Sequence, residues 1–258
     1  MVSFDGWCGR KDQEVKGHRL TILTGVRTKL SFARDELAAV VPTHYAAKGR
    51  IVGIMRRLGK QAAAEYIREK LPTTKSLRSG DLGEILGSEY IEDATAYEVA
   101  VNRLRWKDHR EMAMRGDDII AIKIDRRGSK PDFLKGEVKS RSVLSGRVIA
   151  EARKALRKHN NRPSPHALSY IADRLHEDGE TELGDAIDDA QLKNGIARGQ
   201  LTHLLFTFSG NNPEAMLTND LEAYDGNVRQ IAVGLHVDAH QRLIRDVYEK
   251  VIASGKLA

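Results

Sequence analysis

The sequence has one cysteine and no long hydrophobic run, and both absences narrow what the protein can be. Because Cys8 is the single thiol among 258 residues, an internal disulfide and a zinc site built from several cysteines are excluded. No uninterrupted apolar stretch approaches the roughly 20 residues that span a bilayer. Residues 1–13, MVSFDGWCGRKDQ, lack the apolar segment of a signal peptide. The sequence therefore predicts a cytoplasmic protein in a reducing compartment.

Motifs of several common enzyme classes are also missing. Residues 254–258, SGKLA, contain Gly-Lys without the spacing of a Walker A loop, and no Gly-x-Ser-x-Gly elbow occurs. His236 and His240 are four residues apart, but His236 ends a predicted strand. The two imidazoles therefore do not share a helix face, and a zinc site is disfavoured.

The composition favours a folded protein with a polyanionic partner. Hydrophobic residues make up 41% of the chain, which is enough for a core, and charged residues make up 30%. Lys and Arg outnumber Asp and Glu by 42 to 36, for a net charge of +6. This excess is compatible with nucleic acid binding but does not require it.

Periodicity predicts an α/β fold, with strands and helices both present along the chain. Patterns before residue 75 are mainly helical, so residues 1–75 are predicted to form a helical N-terminal extension and residues 76–258 the core. Strands are predicted at 18–24, 201–208 and 229–237. Single helices are predicted at 30–41, ending before Pro42, and at 147–159 and 238–253. Residues 45–71 are predicted to form two helices, the second of which starts at about Lys60. Residues 166–192 are predicted to form two more.

The stretch from residue 115 to residue 141 organises the candidate chemistry. RGDDIIAIKID is typical of a strand, RRGSKPD of a turn, and FLKGEVKSR of the partner strand. Because side chains alternate along a strand, Glu137 and Lys139 point the same way. Pairing of the strands can bring Asp118 to them at one end of the sheet. Two carboxylates and an amine there form a candidate divalent-metal site, whereas the plainer interpretation is a surface ion pair between Glu137 and Lys139.

A second carboxylate-bearing segment is predicted to be a helix over residues 79–91, with Ser79 near its N-cap. One apolar stripe is formed by Leu82, Ile85, Leu86 and Tyr90. The helical wheel places Glu84 opposite this stripe, which by itself predicts exposure to solvent. Glu84 is surrounded by small residues, namely Gly80, Gly83, Gly87 and Ser88. Because such residues reduce the stability of a helix, their presence is explained if another group approaches that face of the helix closely. Glu89 lies on the stripe and is the competing carboxylate.

These residue types suit phosphodiester hydrolysis. Mg²⁺ held by carboxylates can activate a water and neutralise charge on the phosphate. A lysine beside the metal, such as Lys139, can orient or deprotonate the water and stabilise the developing charge. Asp118 and Glu137 would supply the carboxylates, and Glu84 would complete the set. The predicted basic helix at 147–159 follows directly.

The arrangement resembles the PD-(D/E)xK nuclease core, and this resemblance implies a restriction-endonuclease-like mixed sheet flanked by helices. More narrowly, SGDLGE at 79–84, RGDD at 115–118 and GEVKSR at 136–141 resemble the HamA family, the nuclease subunits of Hachiman antiphage defence systems. The resemblance covers roughly residues 75–240. It implies a defence nuclease that acts on DNA and has a helicase subunit, HamB, as its partner.

The same resemblance implies roles for individual residues. Glu84, Asp118 and Glu137 would bind Mg²⁺ or Mn²⁺, and all three together with Lys139 would form the catalytic set. The proline that usually precedes the first aspartate is replaced by Asp117, so either Asp117 or Asp118 could be the ligand. Two alternatives stay open, a non-catalytic nucleic-acid-binding or assembly subunit and an RNase on the same scaffold.

Overall fold

A computed structural model describes residues 2–114, 116–124 and 130–254 of the chain. Within these ranges the fold is built on a mixed sheet of seven strands in the order β1-β2-β7-β6-β5-β4-β3. The strands are β1 Cys8–Val15, β2 His18–Gly25, β3 Glu98–Val99, β4 Ile119–Lys123, β5 Asp132–Arg141, β6 Leu201–Ser209 and β7 Arg229–His236. The helices are α1 Leu30–Tyr45, α2 Lys48–Lys70, α3 Lys75–Ala94, α4 Gly146–Leu156, α5 Pro165–Glu177, α6 Thr181–Asp188, α7 Glu214–Glu222 and α8 His240–Ser254.

Helices cover both faces of the sheet, which confirms the predicted α/β class. Strands β2, β7, β6 and β5 run parallel, and the outer pairs are antiparallel. Every residue of β6 is buried. Phe206 packs on the side of α1, α3 and α8, and Leu205 packs on the side of α4 and α7. This explains why β6 is apolar on both faces. Among the described residues, no helix combines the length and apolar character needed to cross a membrane.

The N-terminal residues contribute strands as well as helices. The strand predicted from residue 18 is confirmed as β2, which pairs in parallel with β7. The sequence did not predict β1, the charged strand that pairs with β2 at the edge of the sheet. Helix α1 continues through Pro42, so the predicted end before that residue was wrong. Buried Val41 and Tyr45 hold the last turn against the core, and the N–H of Ala46 bonds the carbonyl of Pro42. The domain boundary at residue 75 stays a prediction.

Element α2 is a helical hairpin and not one straight helix. Its backbone leaves the helical region at Gly59, where φ is 88° and ψ is 170°. The Arg50 Nε donates a hydrogen bond to the Tyr66 hydroxyl at 3.0 Å. A straight helix would separate these residues by about 24 Å, so the two arms fold back on each other. The predicted pair of helices, with the second starting near Lys60, is confirmed.

The remaining elements agree with the sequence in most places. Helices α5 and α6 are separated at Gly179, as predicted, where φ is 85°. The predicted basic helix is α4, but its Arg153 is buried and paired with Asp220. The predicted hairpin is confirmed as the antiparallel pair β4–β5, although residues 126–129 of its predicted turn lie outside the described residues.

Candidate active site

The candidate site lies at an open edge of β5. Strand β4 pairs with β5 only as far as Ile119 opposite Gly136, whereas β6 pairs with β5 through Arg141. Asp118 precedes β4 by one residue, and its Oδ2 accepts a hydrogen bond from the backbone N–H of Val138 at 2.8 Å. The carboxylate therefore replaces a ladder bond where β4 has not yet begun. This bond fixes Asp118 beside the second half of β5.

Glu137 and Lys139 stand side by side on β5. The Lys139 Nζ lies 2.5 Å from Glu137 Oε1. Glu137 is buried and Lys139 is partly buried. The two residues therefore do not form the solvent-exposed ion pair that was the plainer interpretation of their spacing.

Two glycines allow α3 to lie close against β5. A Cβ at Gly83 would lie 3.0 Å from the Cβ of Ser140, and one at Gly87 would lie 2.9 Å from Cδ1 of Ile119. The close approach predicted from the small residues is therefore the approach of the helix to the sheet. The predicted start at Ser79 was wrong, because α3 begins at Lys75, after Thr74 as N-cap.

This packing carries Glu84 to the same edge of the sheet. Glu84 is partly buried, although the helical wheel alone predicted exposure. It lines a cavity of about 20 Å³ together with Asp118 and Arg103. That volume is enough for one water-sized species. A larger cavity of about 840 Å³ between β4 and α6 contains none of the predicted site residues.

Burial disfavours the charged forms of all three carboxylates, and the charge of Asp118 adds to this effect at Glu84 and Glu137. Burial, followed by the charge of Asp118, raises the pKa of Glu84 to about 8, and Arg103 and Lys107 oppose this shift. Burial also raises the pKa of Asp118, despite the Val138 N–H and the charge of Lys139. Burial and Asp118 raise the pKa of Glu137. Burial and the neighbouring carboxylates therefore favour the neutral forms of these carboxyl groups.

The structure distinguishes the two neighbouring aspartates. Asp117 is buried, lies 3.2 Å from the Nζ of Lys135, and accepts the backbone N–H of Ser164 at 2.7 Å. The same Nζ donates to the backbone carbonyls of Lys158 and Arg162. Asp117 thus holds the segment after α4 to β5, and Asp118 is the aspartate that faces Glu84 and Glu137.

The competing carboxylate Glu89 is engaged elsewhere. It accepts the backbone N–H of Val2 at 2.7 Å and pairs with His44 at 2.8 Å. Both contacts are buried, and they tie the N-terminal residues and α1 to α3. These contacts give Glu89 a structural role.

Sequence reasoning missed a buried polar cluster next to Glu84. The Lys107 Nζ lies 2.6 Å and 2.7 Å from the two oxygens of Asp81, and the Tyr45 hydroxyl donates to Asp81 at 2.5 Å. Lys107 lies in an irregular segment that carries no motif, so no pattern indicated it. The cluster places a cation within electrostatic range of Glu84.

Ser140 anchors two helices to β5. Its hydroxyl contacts the hydroxyl of Ser79 on α3 at 2.8 Å and Nε2 of His240 on α8 at 3.1 Å. All three side chains are buried. Their hydrogen bonds hold α3, and with it Glu84, in register with the strand that carries Glu137.

The donor chemistry of the site fits a hard divalent cation. Carboxylate oxygens are the ligands that Mg²⁺ prefers, and Mg²⁺ is commonly held by one or two of them together with waters. Asp118 and Glu137 supply such a pair, and the raised pKa values indicate that positive charge would relieve their repulsion. In the described ranges, no group of three or more His, Cys, Asp or Glu is positioned to hold a metal ion. The fit therefore rests on the pair, with Glu84 adjacent.

Comparison with known proteins gives a family match across nearly the whole chain. A family model described as HamA matches residues 2–251. The Hachiman protein HamA of Bacillus cereus is 29% identical over 180 residues, which is 69% of this chain and 64% of that relative. The match thus spans slightly less than two thirds of the relative's length.

Proposed function

This chain belongs to the HamA family, and on that basis we propose that it is a metal-dependent nuclease of the PD-(D/E)xK type that hydrolyses DNA. The observation that carries the proposal is the meeting of Asp118, Glu137 and Lys139 at the open edge of β5, with Glu84 brought alongside by α3. Paired carboxylates and an amine are the groups that phosphodiester hydrolysis needs.

Each side chain has a separate task in the proposed mechanism. Asp118 and Glu137 would hold Mg²⁺ or Mn²⁺, and Glu84 would complete the acidic set. When bound, the cation supplies charge neutralisation and lowers the pKa of a coordinated water. Lys139 orients or deprotonates the attacking water and stabilises negative charge on the phosphate, because its Nζ already lies beside Glu137. The Val138 N–H holds Asp118 in position through its hydrogen bond.

The biological role we propose is antiphage defence, with the chain as the nuclease subunit of a complex that includes a HamB-like helicase. The name of the Bacillus cereus relative supports the defence role. The helical hairpin α2 supports a protein partner. None of residues 47–62 is buried, and Val52, Met55 and Leu58 are exposed by 40%, 39% and 63%. An apolar face of this kind is typical of an interface.

The same hairpin favours a second candidate function, a non-catalytic nucleic-acid-binding or assembly subunit. Residues 47–64 contain five basic side chains and no acid, namely Lys48, Arg50, Arg56, Arg57 and Lys60. Such a surface could bind an acidic partner without any chemistry. Metal titration separates the two functions. A nuclease should bind Mg²⁺ or Mn²⁺ and lose that binding in Asp118→Ala, whereas an assembly subunit should bind neither ion.

The decisive experiment is plasmid cleavage in Mg²⁺ by the wild type and by Glu137→Ala/Lys139→Ala. We expect cleavage by the wild type and loss of activity in the double variant. The assay is run with and without the helicase subunit, because a partner can hold a nuclease inactive. The exposed carboxylate variant Glu182→Ala, on α6, is the matched control. Equal activity in the wild type and the double variant would remove the assignment, and a parallel panel of DNA and RNA substrates tests the RNase alternative.

A further inference from the structure

A rigid loop projects an apolar side chain from the end of the strand that carries Glu137 and Lys139. Val143, between β5 and α4, is 73% exposed. The carbonyl of Ser142 accepts the N–H of Gly210 at 3.1 Å. The Asn211 side chain accepts the N–H of Leu144 at 2.7 Å and donates to the Leu144 carbonyl at 3.1 Å. The backbone is therefore fixed on both sides of the exposed valine.

The anchoring extends into the core, so the exposure of Val143 does not reflect a loose segment. Leu144 is 3% exposed and packs in the cluster that contains Ile149 of α4 and Leu205 of β6. Holding the loop in one conformation before binding reduces the entropy lost when a ligand is engaged.

Val143 is close to the proposed catalytic side chains along the chain. It follows Lys139 by four residues, which places the two Cα atoms at most about 14 Å apart. That span corresponds to about four base steps of 3.4 Å in B-form DNA. Val143 is therefore within about four base steps of a phosphate bound at Lys139, close enough for one duplex to contact both.

Two arginines flank the valine. Arg141 is exposed, its Nη1 donates to the Ser140 carbonyl at 2.8 Å, and in the described part of the chain it forms no ion pair. The Arg147 side chain is 88% exposed and pairs with Glu151, which is itself well exposed, at 3.1 Å. A surface pair of this kind is weak, so Arg147 can exchange its partner for a phosphate.

We propose that residues 141–147, the loop together with the adjoining ends of β5 and α4, engage duplex DNA, with Val143 against the bases of the minor groove and the two arginines on phosphates. The proposal rests on the nuclease function proposed above and defines how that site holds its substrate. The minor groove of B-DNA is about 6 Å wide, and apolar side chains that enter it unstack and bend the duplex. The minor groove of an RNA duplex is wide and shallow, which offers such a side chain less contact.

The test measures binding of the full chain to a fluorescein-labelled 30-base-pair DNA duplex by anisotropy, in EDTA so that no cleavage occurs. Val143→Asp is expected to weaken the Kd at least tenfold, and Val143→Leu is expected to stay within twofold. Leu192→Asp is the matched control, because Leu192 is 77% exposed in the segment Asp189–Asn194, outside this loop. Arg147→Ala should lower the salt dependence of binding by about one phosphate contact.

Each outcome decides the inference. Equal binding by Val143→Asp and the wild type overturns it, as does an equal loss in Leu192→Asp, or tighter binding of a matched RNA duplex. If the wild type still cleaves plasmid in those cases, the nuclease function stands and the loop assignment alone fails. If the wild type neither binds nor cleaves DNA, both proposals fail. Circular dichroism melting confirms that each variant is folded.

Discussion

The packing of α3 on β5 makes a direct prediction about two glycines that lie three residues apart. Gly83 faces the sheet, where an added Cβ would lie 3.0 Å from the Cβ of Ser140 and 3.2 Å from Cγ1 of Val138. Gly80 is exposed, and an added Cβ there would meet nothing within 4 Å. Gly83→Ala and Gly80→Ala are therefore the same substitution in the same helix. They differ because only the methyl group added at position 83 would contact the sheet.

The expected energies have opposite signs. Replacing glycine by alanine inside an exposed helix stabilises it by about 0.5–1 kcal/mol, so Gly80→Ala should raise the free energy of unfolding by that amount. Overpacking costs about 1–3 kcal/mol, which outweighs the gain in helix propensity. Gly83→Ala should therefore lower the free energy of unfolding by about 1 kcal/mol in total. Ser140 cannot easily move away, because its hydroxyl bonds Ser79 and His240. The difference between the two variants should thus be about 2 kcal/mol.

Urea unfolding followed by circular dichroism measures both energies, and plasmid cleavage measures the consequence for the site. A displaced α3 moves Glu84 away from Asp118, and a shift near 1 Å can reduce activity by about 100-fold. Cleavage by Gly80→Ala should stay at the wild-type level. A Gly83→Ala variant that is as stable and as active as Gly80→Ala would refute this account of the packing.

Further predictions concern the aspartates, a buried histidine and the hairpin. Asp117→Ala should lower the free energy of unfolding by about 3–5 kcal/mol in urea titrations, because it leaves the charge of buried Lys135 without its carboxylate. Asp118→Ala should lower the free energy of unfolding far less but abolish cleavage. Burial lowers the pKa of His203 to about 4, so protonation of the unfolded chain near 6.5 should reduce stability as the pH falls from about 6.5 to 4. The loss is roughly 3 kcal/mol at most, from 2.5 pH units at about 1.36 kcal/mol each, and His203→Gln should flatten this part of the curve. Met55→Asp and Leu58→Asp should leave the unfolding energy within about 0.5 kcal/mol but prevent co-purification with the helicase subunit, and retained co-purification would contradict the hairpin's role.

Local sequence patterns predicted elements whose identity depends on near neighbours. Short runs rich in apolar residues identified β6 and β7, and the sharp turns at Gly59 and Gly179 divided their helices as expected. Patterns failed where distant contacts decided the outcome. Half of the residues of strand β1 are charged, and the strand forms because β2 pairs with it.

Some features of the candidate site likewise followed from the local sequence, and others depended on tertiary packing. The sequence alone determined that Glu137 and Lys139 share one side of a strand, because the period of two is a property of that strand by itself. Only the tertiary structure decided that Glu84 reaches Asp118, because the position of Glu84 depends on how closely α3 approaches β5. The choice between Asp117 and Asp118 was also tertiary, since it depends on a buried lysine and on the point where β4 begins. Spacing along a chain fixes the direction of a side chain within its own element, whereas the packing of one element on another fixes which side chains meet.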